Sequence, residues 1–262
     1  MAEPLHTTEL GEAGSRVVFC HGLFGQGRNF TAIAKALAGE HRVGLVDMPD
    51  HGRSPRSESF DYLAVAHQVA ELLSRDDPVA LVGHSMGGKV AMLVALRHPE
   101  LVARLVVVDV APVAYDHVTE FARYIEAMRA IDLDTLERRS EAEDALTDAV
   151  RDPTVRGFLL QSLRREGDHW LWLLNLELLG RDLDAITGWP EDSLTDAAPY
   201  DGPVLWVGGA DSAYVGDRYV DAMDRWFPRN RRVTVKGAGH WVHSEQPQVF
   251  VEVLRRFVDS DP

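Results

Sequence analysis

Two kinds of segment alternate along most of this chain, and that alternation limits its fold more than any other feature. The runs "RVVFC" (16–20), "RVGLVD" (42–47), "PVALVG" (78–83), "RLVVVDV" (104–110), "PVLWVGG" (203–209) and "RVTVKG" (232–237) are β-branched and almost continuously apolar. Gly, Pro or Asp bound them, as expected of strands buried on both faces. Between them "NFTAIAKALAGE", "YLAVAHQVAELLSRDD", "GKVAMLVALRHPE", "GDRYVDAMDRWFP" and "QVFVEVLRRFVD" repeat apolar residues every three or four positions. Strands alternating with helices predict an α/β fold, a mostly parallel central sheet with helices on both faces.

Residues 113–198 interrupt the pattern. "VTEFARYIEAMRAIDLDTLERRSEAEDALTDAV" and "VRGFLLQSLRREGDHWLWLLNLELLGRDLDAI" read as helical, with no convincing strand between them. We therefore expect a core of 1–112 and 199–262, with 113–198 inserted before the penultimate strand as a helical cap. No Pro/Gly/Ser-rich linker marks a separate domain at either edge.

Chemistry is concentrated where a strand meets a helix. In "VGHSMGGKVAM", Gly83-His84-Ser85-Met86-Gly87 fits G-x-S-x-G, the sharp turn that projects a serine above a sheet. The pattern alone is common; a strand before it and a helix after it make it informative. The helix that starts there brings its positive dipole end and points the Met86 amide toward the hydroxyl. Serine needs a base to become a nucleophile. Of eleven histidines, His240 in "VKGAGHWVHSEQP" lies in a Gly-rich loop after the last strand and follows Ser85 in the required order. His243 is its rival. His84 reads as an elbow packing residue that also borders the substrate, and His51 in "DMPDHGRSP" as a loop-structuring residue.

A carboxylate must orient the imidazole. Asp109 and Asp211 both sit at carboxyl ends of predicted strands, and residue spacing does not separate them. "HGLFGQG" (21–27) follows the first strand, and the amides of Leu23 and Met86 are the expected oxyanion donors. Phe24, His84, Trp170, Trp172 and Trp241 are the candidate substrate-binding side chains, with Leu173 and Leu174 beside the cap tryptophans.

Several classes are disfavoured. No Gly-Lys-Ser/Thr phosphate loop or G-x-G-x-x-G spacing follows a strand, so no nucleotide cofactor is expected. The pair His240-x-x-His243 has no further fixed ligand, and no metal is expected. With 41 acidic against 27 basic residues the net charge is −14, which argues against nucleic acid and anionic membrane surfaces as partners. Nothing resembles a signal peptide or a membrane span, and the single cysteine, Cys20, reads as a core thiol in a reducing compartment; cytoplasm is the expectation. Oligomeric state is not legible.

"HGLFG", "DMPDHGRSP", "GHSMGGK" and "GAGHWVHSEQP", in this order, resemble the α/β-hydrolase superfamily, in particular small bacterial esterases of the YbfF type and related mitochondrial abhydrolases. The resemblance covers nearly all of the chain outside the cap. It implies Ser85 as nucleophile, His240 as base, and Leu23 and Met86 as oxyanion donors. In that branch the acid lies in Asp-x-(Ala/Ser)-Pro, here Asp109-Val110-Ala111-Pro112, which favours Asp109 and keeps Asp211, where relatives often carry Asn, as the alternative. The implied activity is hydrolysis of carboxylic esters of small to medium acyl chain through an acyl-enzyme, without cofactor. A serine nucleophile argues against dehalogenase or epoxide hydrolase chemistry. The same residues would serve a thioesterase or a C–C bond hydrolase or lyase, and a non-catalytic receptor is the alternative of another class. A coenzyme A ester would call for basic residues such as Arg28, Arg53, Arg123, Arg164 and Arg165 at the mouth.

Overall fold

The computed structural model describes residues 3–115 and 119–260. Its strands are β1 (Thr7–Leu10), β2 (Arg16–Cys20), β3 (Arg42–Val46), β4 (Val79–His84), β5 (Val102–Val108), β6 (Leu163–Glu166), β7 (His169–Trp172), β8 (Val204–Gly209) and β9 (Asn230–Val235). Seven of them form one sheet in the order β1-β3-β2-β4-β5-β8-β9. All neighbours in it are parallel except β1, which runs antiparallel to β3 at the edge. The six sequence-read strands are all present. The edge strand β1 is additional; its residues "TTEL" are half exposed and carry no buried apolar run to read.

Why the strands look uniformly hydrophobic is visible in how they divide. Val79 and Leu81 of β4 pack into one core, Ala80 and Val82 into the other, and the same alternation runs through β2 and β5. The first core is closed by α2 (Tyr62–Ala70) and α3 (Met86–Arg97), the second by α1 (Thr31–Leu37) and α11 (Pro247–Val258). In α3 every residue from Met86 to Leu96 is buried, as a helix apolar on all sides must be. By contrast α11 buries Phe250, Leu254 and Phe257 on one stripe and leaves Arg256 exposed on the other side.

Between β5 and β8 lie α4 (Thr119–Arg129), α5 (Arg139–Leu146), α6 (Pro153–Leu160), α7 (Leu176–Arg181) and α8 (Leu183–Thr187). The helix read as starting near Val118 begins at Thr119 in the described residues; Val118 itself lies outside them. One reading needs correction. The stretch taken as all-helical contains a hairpin, β6 paired antiparallel with β7 through the two-residue turn Gly167-Asp168. Gly167 has φ +59°, the left-handed value that a two-residue hairpin turn demands of its first residue. "EGDH" carried that signal, but the flanking leucines and arginines also satisfy a helical period. Two further helices, α9 (Val220–Trp226) and α10 (Val242–Glu245), complete the core.

The insertion is tied to the loop after β3. Gly52 N–H donates to the Leu173 carbonyl at 2.7 Å, Asn175 N–H to the Asp50 carbonyl at 2.9 Å, and the Asn175 side-chain amide to Asp50 Oδ1 at 2.8 Å. The core thus holds this part of the cap by backbone bonds.

Candidate active site

Strand order places the site. From β2 the chain moves outward to β3, then crosses back to β4 on the other side of β2. The carboxyl ends of β2 and β4 therefore diverge at a topological switch point, where open α/β sheets bind ligands. Ser85 follows β4 directly, the loop 21–27 follows β2, Asp109 follows β5, and His240 follows β9.

Ser85 has φ 52°, a left-handed conformation that is strained for a residue with a side chain. Its N–H prolongs the ladder by donating to the Val108 carbonyl at 3.0 Å, and α3 begins at the next residue. The flanking glycines are sterically required. A Cβ on Gly83 would lie 2.2 Å from the Gly87 carbonyl oxygen, and one on Gly87 would lie 2.4 Å from the carbonyl oxygens of both Cys20 and His21. As the first residue of α3, Met86 has an N–H without a helical acceptor. Opposite it, Gly22–Gly25 forms a tight turn, with Gly25 N–H donating to the Gly22 carbonyl at 3.0 Å and Phe24 at φ 66°. Leu23 in this turn lines the same cavity as Ser85 and Met86.

Hydrogen bonds link three of the sequence candidates. Ser85 Oγ lies 3.1 Å from His240 Nε2, and His240 Nδ1–H donates to Asp109 Oδ2 at 2.8 Å. Asp109 is fully buried, at φ 51°; its Oδ1 accepts from Gly209 N–H at 3.1 Å and its Oδ2 also accepts from the Ser212 hydroxyl at 2.5 Å. A carboxylate that only accepts fixes the imidazole with its proton on Nδ1, leaving Nε2 free to take one from Ser85. Asp211 takes no part: it is exposed, and its N–H donates to the Ala238 carbonyl. Spacing could not separate the two aspartates, but the serine next to Asp211 turns out to hold Asp109.

Behind the elbow, His84 Nε2–H donates to the His240 carbonyl at 2.8 Å, and its ring lies 4.8 Å from that of His240. His84 therefore supports the His240 loop and does not border the cavity. His243 is buried against Phe30, its ring 4.5 Å away, and has no contact with Ser85. His51 donates through Nδ1–H to the Pro49 carbonyl at 2.8 Å and structures its loop. Buried Cys20 has its thiol pKa pushed up to about 12, so it is no nucleophile.

The cavity that holds Ser85 measures about 30 Å³ and is lined by Leu23, Met86, Tyr62, Lys89, Tyr115 and Tyr214, with Val110, Phe121, Ile186 and Thr187 completing the wall. None of the five expected substrate-binding side chains is among them. Phe24 packs edge-on against Phe121 from behind, at 6.1 Å. On the cap hairpin, Trp170 lies against Arg165, and Trp172 is buried in the main hydrophobic core, where it borders a recess with Arg56 and Arg129 that does not include Ser85. Trp241 lies with Phe158 in a separate groove of about 750 Å³, behind the loop that carries His240. Leu173 and Leu174 likewise lie outside the cavity. Arg28, Arg53 and Arg164 gather at a different cleft of about 320 Å³, and Arg123 lies against Tyr124.

The sequence reading missed Lys89, Tyr62, Tyr115 and Tyr214 in the wall, and Ser212 on the acid. Lys89 had a signal: it is the one charge inside the apolar stretch "MGGKVAMLVAL". Burial pushes its pKa down to about 7. As to metals, Glu40, His41 and Asp259 lie close enough together to share a cation, but Glu40 and His41 sit at the amino end of β3, the opposite end of the parallel strands from Ser85.

Four buried histidines, His21, His51, His84 and His243, make acid stability predictable. Burial lowers each from the ordinary 6.5, His243 to about 3, so the folded state keeps them neutral while the unfolded chain takes up protons. Stability is therefore full above pH 6.5 and falls as pH drops through that value toward the folded-state pKa values. A histidine that stays neutral in the folded protein contributes at most ~1.4 kcal/mol per pH unit in that window. We expect the urea midpoint to fall steeply between about pH 7 and 5; a flat midpoint across it would contradict neutral burial.

Known proteins share this architecture. Residues 15–247 match the family described as the alpha/beta hydrolase fold. The chain is 39% identical over 250 residues to the sn-1-specific diacylglycerol lipase ABHD11 of Mus musculus, covering 92% of this chain and 80% of that one. It is 32% identical over 248 residues to the esterase YbfF of Escherichia coli, covering 94% of each. A marine microorganism esterase superposes with TM-score 0.91 at 31% identity, covering 97% of this chain and 99% of that one. Its relatives include esterases and lipases, and the chain itself is a member of the alpha/beta hydrolase fold family.

Proposed function

We propose that this protein is a serine esterase cleaving carboxylic esters of small to medium acyl chain. The observation that carries the reading is the continuous hydrogen-bond chain from Ser85 Oγ through His240 to the buried carboxylate of Asp109. Ser85 Oγ attacks the ester carbonyl while His240 Nε2 takes its proton, and Asp109 stabilises the imidazolium. The Leu23 and Met86 amides hold the oxyanion of the tetrahedral intermediate. Its collapse expels the alcohol with the proton from His240 and leaves an acyl-Ser85 ester. Water, deprotonated by His240, then releases the acid and restores Ser85. All proton transfers belong to side chains, so the cycle calls on no cofactor.

The small cavity supports short acyl groups, since about 30 Å³ holds little more than a water or two before the walls adjust. Initial rates on 4-nitrophenyl esters from acetate to decanoate test this. We expect turnover with a maximum at the short end; no cleavage of any ester would sink the esterase reading. A maximum at decanoate would favour the acylglycerol substrates named for the mouse relative, with the cap displaced. The partner proposed is a small-molecule ester, since the net charge of −14 disfavours nucleic acid and anionic membranes. Among the described residues no helix is long and apolar enough to cross a membrane. A single buried cysteine suits a reducing compartment, and we place the protein in the cytoplasm.

A further inference from the structure

We propose that Lys89 is a specificity-determining residue: its ammonium binds a carboxylate carried on the acyl side of the substrate, making half-esters of short dicarboxylic acids the preferred class. The inference rests on the esterase reading of Ser85. Lys89 lies in the first turn of α3, and its N–H donates to the Ser85 carbonyl at 3.1 Å, which places it one helical turn beyond the elbow serine. Both residues line the same cavity, and Lys89 is only 2% exposed.

Its surroundings do not neutralise it. Nζ donates to the carbonyls of Thr187 at 2.7 Å and Gly188 at 2.6 Å, at the end of α8. The ring of Tyr115 lies 4.8 Å from Nζ and that of Tyr62 at 5.9 Å. An ammonium has three N–H groups, and among the described residues these two carbonyls are its only hydrogen-bond acceptors. None of the eleven cavity-lining residues is Asp or Glu. The ionisable neighbours are phenols: burial raises Tyr62, Tyr115 and Tyr214, so they stay uncharged. Asp109, just beyond, is already taken by His240, Gly209 and Ser212. A buried cation among dipoles alone is costly, and an apolar side chain would fill the place more cheaply. An incoming carboxylate supplies the missing counter-charge in the cavity that Lys89 shares with Ser85.

The alternative is that Lys89 merely ties α8 to α3. The two accounts part on one ratio. Methanol release from monomethyl succinate and from methyl 4-oxopentanoate compares esters of the same shape, one with a carboxylate and one with a methyl ketone. Wild type should favour the half-ester in kcat/KM by about 10- to 100-fold, the range for a charge-assisted hydrogen bond. Lys89→Met should bring the ratio to parity or below, and Lys89→Arg should retain part of it. The preference should also weaken as pH rises through about 7, where the buried ammonium loses its proton while the substrate stays ionised. Parity in wild type would overturn the proposal without any variant, and so would a Lys89→Met loss equal for both esters. If neither ester is cleaved, the esterase reading falls and this inference with it; cleavage of the ketone ester alone would spare that reading and sink this one.

Discussion

Replacing Ser85 with alanine should lower kcat on any cleaved ester by about 10⁴- to 10⁶-fold and leave the fold in place. The size of the loss follows from the removal of the attacking atom: the oxyanion amides and the cavity remain, and they support only the residual rate of water. The intact fold follows from the geometry. Ser85 is held at φ 52° by the β4–α3 turn, alanine keeps the same Cβ in the same strained conformation, and the hydroxyl bonds to His240 alone. Urea midpoints of the two proteins should coincide. A Ser85→Ala protein that folds and still turns over would show that the hydroxyl is not the nucleophile.

Asp109→Asn should lose about 10³- to 10⁴-fold, while Asp211→Asn should match wild type. Asp109 accepts three hydrogen bonds, from His240 Nδ1–H, Ser212 O–H and Gly209 N–H. An asparagine must turn its NH₂ toward one of these. If the NH₂ takes the Oδ2 position, His240 has to move its proton to Nε2, where it faces Ser85 and can accept nothing. If it takes the Oδ1 position, it opposes the Gly209 N–H, and the imidazolium that forms during attack faces a neutral amide. Either way the base is lost or unsupported. Steady-state rates for both variants, with urea melts to separate activity from folding, test the assignment; equal activity of Asp109→Asn and wild type would remove Asp109 from the mechanism.

Much of this site was legible before any coordinates, and the reason is local. The elbow, the Gly-rich loop after β2 and the His240 loop are each short stretches whose backbone needs leave a mark in residue type, as the Cβ clashes at Gly83 and Gly87 make plain. Parallel strands buried on both faces likewise read directly from their apolar runs. What stayed hidden depended on contacts between distant segments. The choice between Asp109 and Asp211 turns on which carboxylate the His240 loop reaches, and it reaches the one 131 residues away in the chain, not the one nearby. The cavity wall is assembled from α2, α3, α4, α8 and the loops after β2, β5 and β8, so Trp170, Trp172 and Trp241 looked suitable by type yet face elsewhere. The hairpin β6–β7 was missed because its strands are only four residues each and share their residues with a helical period.

The central claim is covalent chemistry at Ser85, and trapping it is the most direct test. Wild-type protein is incubated with a fluorophosphonate, and the adduct is located by intact and peptide mass spectrometry. The account predicts a single phosphonyl group, on the peptide containing Ser85, absent in Ser85→Ala and formed far more slowly in Asp109→Asn. An adduct on another residue, or ester turnover with Ser85 left unmodified, would contradict it.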